Sequence, residues 1–322
     1  MDTRTETPPA GPAAPEAARV LPEPRWRAAE ERHRARVDAL VAGHLARRER
    51  GEKHPVEDFL FTYYSHKPAQ LRRWHPGAGA VLAGCSADGL RWYRPATERR
   101  DGADGAVLDT GAFLAKKASA AGFVLGLLRA VQGRPAHLGC FGLHEWAMAY
   151  RAGQGGVRHS AVPLRLGPEG TDAVVESHRV NCSHYDAFRF FTPEARPLNR
   201  LTPTRESQAE LDQPGCLHAN MDLYKWAYKL TPLVPAELVA DCFELARDIR
   251  ELDMRASPYD LSGHGYEPVR IETAEGKAAY MEAQRGFAER ARALRARLIG
   301  VLAAVEPLLD RETAAPGAAR AQ

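Results

Sequence analysis

The sequence predicts an α+β fold, predominantly α-helical, with an aromatic-rich helical core and a small antiparallel β-hairpin region. Three observations lead there. Long stretches carry apolar residues at helical spacing and are broken by proline and glycine. The densest of them, around Leu60 and around Leu223, are crowded with Phe, Tyr and Trp. Two segments, Ala80–Pro95 and Arg158–Phe191, read instead as strands around turns.

The 322 residues carry a net charge of +3, too mild a sum to announce nucleic acid, although a local basic patch is compatible with it. Five widely spaced cysteines form no CxxC pair, which fits a reducing compartment better than a disulfide framework. No apolar run approaches the length of a membrane span, and the N-terminus lacks a secretory pattern. The expectation is a soluble cytoplasmic protein with no membrane partner; the oligomeric state is not legible. Residues 1–24, rich in Pro, Ala, Glu and Thr, read as a disordered tail. Residues 25–310 read as one globular α-rich domain, and 311–322 as a second disordered tail.

Arg25–Arg50 has the charge density of a surface helix with a thin apolar side at Val37, Leu40, Val41 and Leu45. His54–Gly77 is dense in aromatics. Phe59, Leu60, Phe61, Tyr63 and Tyr64 cover most of a helix circumference, with Asp58, Thr62 and Ser65 as a polar stripe. Lys67, Arg72, Arg73 and Trp74 then combine cations with an indole, a composition suited to phosphate neutralisation and base stacking and equally to an aromatic core with a basic rim. Two strands flank the turn Ser86–Gly89, Asp101–Asp109 reads as a polar loop, and Thr110–Val131 as a helix stopped by Gly133 and Pro135.

His137–Arg151 reads as an apolar helix carrying His144 and Glu145 side by side. Adjacent residues diverge by about 100°, so the two are not expected to face one ligand; His144 reads as a satisfied core histidine, with the lining of a cavity by one of the two as the other reading. In Arg158–Phe191 strand alternation places His178, Cys182, His184 and Asp186 on one face. These are competent zinc or iron ligands, and the alternative cofactor expectation rests on them; the primary expectation is no cofactor.

Pro214–Leu261 holds two helices back to back. In the first, His218, Asp222, Lys225 and Lys229 make one stripe on an otherwise apolar surface. In the second, Ala236–Arg255, Asp253 projects onto the apolar side, either as a functional carboxylate or as the cap of a turn. The stripe should face one cavity together with Asp58, Thr62 and Ser65, with Asp253 close by. Thr273–Glu306 is a long amphipathic helix that Pro307 should end.

The strings HPVEDFLFTYYSHKPAQLRRWHPG, GLHEWAMAYR, CSHYDAFRFF, QPGCLHANMDLYKWAYKL and FELARDIRELDMRASPYDL together resemble a bacterial, mainly actinobacterial, family labelled 3-methyladenine DNA glycosylase. The family is distinct from the helix-hairpin-helix glycosylases, whose Leu-Pro-Gly hairpin has no counterpart here. The resemblance spans roughly 53–309. It implies a DNA-repair hydrolase that cleaves the N-glycosidic bond of an alkylated purine in duplex DNA, after flipping the base into a pocket. On that implication Asp253 or Asp222 supplies the carboxylate, with His218, His144 and Glu145 as further catalytic candidates. Tyr63, Tyr64, Trp74 and Trp226 offer aromatic faces, and Lys67, Arg72 and Arg73 meet phosphates. The other reading is a metal-dependent or small-molecule enzyme with a cavity lined by His, Asp and Glu, or a non-catalytic binding protein.

Overall fold

The computed structural model describes residues 19–96, 104–153 and 161–314. Most of the two expected tails, 1–18 and 315–322, lies outside them. Residues 19–24 do not belong to a tail. Arg19–Leu21 forms strand β1, paired in parallel with β2, Ala80–Ala83, and Pro22 leads directly into α1, Glu23–Glu49. α1 docks through Trp26, His33, Val37 and Val41, and its Arg36 bonds Asp241 and Glu244 at 2.8 and 2.9 Å.

The fold is α+β and predominantly helical, as expected, but the sheet is mixed and holds four strands. β3, Tyr93–Pro95, and β4, Gly105–Leu108, complete it in the order β1-β2-β4-β3. The two strands flanking the Ser86–Gly89 turn therefore do not pair with each other. β4 inserts between them, antiparallel to both, and it comes from the segment expected to be a polar loop. A four-residue Gly-Ala-Val-Leu run is too short for a periodic signal, and only its partners on both sides make it a strand.

The aromatic stretch that follows α1 breaks into two short helices, α2 at Phe59–Tyr63 and α3 at Pro68–Leu71. α4, Thr110–Gln132, starts where Asp109 Oδ1 accepts from Ala112 N at 2.9 Å. By length and composition α4 could cross a bilayer, which corrects the expectation that no run comes near that length. Its apolar side, from Phe113 to Val131, is buried in the core.

The Arg158–Phe191 hairpin is not formed; 158–160 lie outside the described residues, and the rest is mainly helical. α6 spans Gly167–Ser177 and α7 spans Tyr185–Phe188. The Gly167-Pro168-Glu169-Gly170 sequence read as a hairpin turn is a helix start, with Pro168 in the first turn. Thr171, Val174 and Val175, three and four residues apart, are the buried face. The helix expected over 137–151 is shorter, α5 at Leu143–Ala149. Before it Phe141 (φ 49°) and Gly142 (φ 69°) are left-handed, so the chain turns sharply into α5 at a residue without a Cβ.

α8, Gln208–Leu211, precedes the central pair, α9 at Leu217–Lys229 and α10 at Ala236–Arg255. A six-residue connection makes them antiparallel neighbours. α11, Ala274–Ala303, packs on α10, α9 and α4, and stops before Pro307, which sits in the first turn of α12, Glu306–Ala314. Between α2, α9 and α10 lies an aromatic cluster. Tyr64 meets Tyr224 edge-on at 5.5 Å, Tyr224 meets Phe243 at 5.3 Å, and Phe61 meets Phe243 at 5.4 Å.

Candidate active site

The central helices bring a set of ionisable side chains together inside the protein. α5 supplies His144 and Glu145, α9 supplies His218, Asp222 and Lys225, and α10 supplies Arg250 and Asp253. The loop before α7 supplies His184, and the turn after α8 supplies Asp212. Asp253 is 0 % exposed and lies within α10, so it is neither a terminal cap nor a surface group. His144 Nε2 donates to its Oδ1 at 2.8 Å. Arg250 Nη1 donates to its Oδ2 at 3.2 Å and to Glu145 Oε1 at 3.0 Å. Glu145 therefore serves Asp253 through Arg250, while its neighbour His144 binds Asp253 directly from the other side.

Burial favours the neutral form of His144, but the charge and hydrogen bond of Asp253 outweigh it, and this imidazole titrates well above the ordinary range. Burial likewise opposes ionisation of Asp253, and the facing His144, His218 and Arg250 hold it below the usual carboxylate range.

His218 meets His144 edge-on at 4.4 Å and stacks on His184 at 5.6 Å. Its ring makes no hydrogen bond among the described residues. Burial and the neighbouring His144 charge push it well below the ordinary value, so it stays neutral.

A second group adjoins the first. His184, 0 % exposed, donates from Nδ1 to Asp212 Oδ1 at 2.9 Å, and Gln208 Nε2 holds the other Asp212 oxygen at 2.9 Å. His184 Nε2 lies 3.6 Å from Asp222 Oδ2 and has no hydrogen-bond partner. Burial lowers His184, but Asp212 and Asp222 raise it further, so it too titrates above the ordinary value. Lys225 Nζ donates to Asp222 Oδ2 and, at 3.1 Å, to Asp186 Oδ2, and Tyr64 Oη donates to Asp222 Oδ1 at 3.2 Å. Burial disfavours the Lys225 charge, yet the two carboxylates raise it above the ordinary lysine value.

A cavity of about 220 Å³ opens beside the first group. His144, His218 and Tyr280 line it, with Cys140, Cys182 and Cys216. Cys140 Sγ lies 3.9 Å from His144 Nδ1. Its rim is locked in place. Arg134 donates to the carbonyls of Ala209 and Asp212 at 2.6 and 2.8 Å, and Gln284 Nε2 donates to Gly215 O at 2.6 Å. A Cβ on Gly215 would come within 2.5 Å of His137 O, so the Pro214-Gly215-Cys216 turn that starts α9 requires its glycine. A larger cavity, about 340 Å³, lies between α1, α2 and α10, with Arg250 in the wall. The acid and base groups already described stand on the other side of that arginine.

Of the catalytic candidates read from the sequence, Asp253, Asp222, His218, His144 and Glu145 all fall within this connected set. The seam at Asp58, Thr62 and Ser65 does not join it. Asp58 accepts from Arg47 at 2.7 Å, from His44 at 2.9 Å and from His54 N at 2.8 Å, while Thr62 and Ser65 are exposed. α2 is too short to carry one stripe inward; its Phe59 ring lies under Arg250 at 3.9 Å, and Tyr64, just past its end, bonds Asp222. Of the four metal candidates, only His184 and Asp186 share a group. His178 turns back on Val174 O at 2.7 Å and the Cys182 thiol faces His184 O, because no strand aligns them.

The nucleic-acid candidates scatter. Tyr64 is buried in the aromatic cluster and Tyr63 stacks on Phe59 at 5.0 Å. Trp226 lies under the Lys225 ammonium at 4.4 Å. Arg72 is bound to Asp38 at 2.6 Å, and Trp74 Nε1 donates to Glu237 at 2.6 Å over a stack with Trp26. Lys67 and Arg73 are exposed. Sequence reading missed Arg250 and Asp212. Arg250 sits between Ile249 and Leu252, an arginine on the apolar side of α10, which was a usable signal. Asp212 lies in a loop and carried none. Comparison of the chain with family models, with curated proteins and with solved structures finds no match.

Proposed function

We propose that this chain is a hydrolase that works inside the cavity beside His218, and that its substrate is an alkylated purine held by an N-glycosidic bond. One observation carries the enzymatic reading: an imidazole with no hydrogen-bond partner among the described residues faces a cavity, next to a buried, hydrogen-bonded imidazole–carboxylate pair. His218 is half-buried, open on the cavity side, and titratable groups perturbed by their neighbours cluster where chemistry is done. The substrate class comes from the resemblance of the sequence motifs to the 3-methyladenine glycosylase family. The cavity volume supports it, being below the roughly 300–1,000 Å³ of pockets for drug-sized ligands and on the scale of one nucleobase.

An N3-alkylated purine carries positive charge, so its leaving needs no proton. The bond from sugar C1′ to the base breaks, and its electron pair neutralises the base. Water oxygen bonds C1′ and its proton passes to His218 as general base. Asp253, which lies behind His144 and bonds its Nε2, orients that imidazole on the cavity wall rather than meeting the sugar. The products are the free neutral base, the hydroxylated sugar and one proton.

The test is chromatography of the base released by purified protein from methylated DNA and, in parallel, from alkylated purine nucleosides. Release is expected, and it should fall by about 100-fold or more in His218→Ala. No release from either substrate by folded protein would sink the proposal. Release from nucleosides but not from DNA would keep the bond cleavage and remove the repair role.

A further inference from the structure

We propose that His144, His218 and Asp253 hold a divalent cation, zinc or ferrous iron, on the wall of the cavity. One donor atom from each residue lies within 4.8 Å of the others. Two imidazoles and one carboxylate are the donor set of open catalytic sites for these metals, which leave positions for water and substrate. Here the open side is the cavity, which His144 and His218 both line.

Three further features fit a cation. His218 presents its ring with no partner among the described residues, as a ligand awaiting an ion does. Asp253 is fixed by Arg250 on its other oxygen, and Arg250 by Glu145, an outer shell that orients a ligand carboxylate. The neighbouring group supplies the contrast. His184, Asp186 and Asp222 are equally close to one another, but the Lys225 ammonium already sits against both carboxylates. There a flexible ammonium reaches both carboxylates, whereas Arg250 meets only the Oδ2 of Asp253 and leaves the Oδ1 side, with His144 and His218, toward the cavity.

The inference deepens the reading of the cavity as a reaction site and rests on it for the ion's role. With the ion bound, His218 would be a ligand rather than the base; the ion would hold the water and bring its pKa to about 7, so that the proton leaves to solvent.

The experiment uses the untagged full chain, stripped with a chelator and titrated with Co²⁺ in the visible and with Zn²⁺ by calorimetry. Ferrous iron is titrated without oxygen to separate the two metals. One equivalent should bind, and binding should weaken at least ~100-fold in His218→Ala while staying unchanged in His178→Ala. His218→Gln, which keeps the bulk, replaces the alanine variant if circular dichroism shows that one unfolded. No saturable binding by wild type, or equal binding by a folded His218 variant, overturns the site. Binding without base release supports the ion and removes the glycosidic reading. Base release by stripped protein keeps that reading and overturns the ion.

Discussion

Asp222 and Asp253 are both deep carboxylates, but they are satisfied in different ways, and substitution should separate them. Asp222 is neutralised by Lys225 and bonded by Tyr64, so Lys225→Met leaves the buried Asp222 without its ammonium, while Asp186 keeps Arg189 at 3.0 Å. Breaking a buried pair from one side costs about 3–5 kcal/mol. Urea denaturation of Lys225→Met should show a loss of that order, and a loss under about 1 kcal/mol would mean that the lysine is dispensable there. His218 is the opposite case. It has no hydrogen bond to lose, so His218→Ala should stay within about 1 kcal/mol of wild type in the same measurement while losing base release. A stability loss matching the activity loss would make His218 a packing residue.

At the scale of elements, α10 sets the distance between the two kinds of candidate residue. Trp74 is anchored on Glu237 in its first turn, and Asp253 stands sixteen residues later. At roughly 1.5 Å per residue that is about 24 Å, or about seven base steps of duplex DNA. Arg72 and Trp74 therefore lie far from the phosphates that flank a base in the cavity. Trp74→Ala should cost about 2 kcal/mol through the lost stack on Trp26 and the lost bond to Glu237. Base release by Trp74→Ala and by Arg72→Ala should equal wild type at a temperature where both are folded. A large drop in Arg72→Ala, whose ion pair with Asp38 is exposed, would return that face to the active surface.

For the molecule as a whole, the buried histidines outside the site make stability depend on pH. Burial lowers His66 to about 4, and burial with the His33, His66 and Arg73 charges lowers His75 to about 3. Between about pH 6 and pH 4 the unfolded imidazoles take up protons, near their ordinary value of about 6.5, while the folded ones do not. The unfolded state then binds more protons, so stability falls as pH falls, by up to ~1.4 kcal/mol per pH unit for each group. His144 and His184, raised in the folded state, are protonated in both states across this window. Their contribution is flat there and is lost only as pH rises through their folded values. Denaturation midpoints across the window should slope accordingly and slope less in His66→Asn; a flat profile would show that the burial penalty is not felt.

Local pattern and chain chemistry decided more of this protein than its strands did. α10 was legible from Ala236 as far as Leu252, its last turn open between helix and cap, because strict helical spacing follows Pro235, and α9 was legible to within one residue. The candidate catalytic residues were legible for a related reason: a carboxylate at Asp253 on an apolar face and a polar stripe at His218 and Asp222 conflict with plain packing, and such conflicts show in one dimension. β4 was not legible, nor was the start of α6 at Gly167. A short segment takes its conformation from the neighbours it pairs with or packs on, and Gly-Pro-Glu-Gly suits a turn and a helix start alike. Convergence was decided by tertiary structure alone. His144 and Asp253 stand 109 residues apart and His184 and Asp212 stand 28 apart, and no periodicity reaches across such loops. Which buried charge finds its partner within the chain, as Asp222 finds Lys225, and which group is left facing a cavity, as His218 is, depends on how three separate helices, a loop and a turn close on one point.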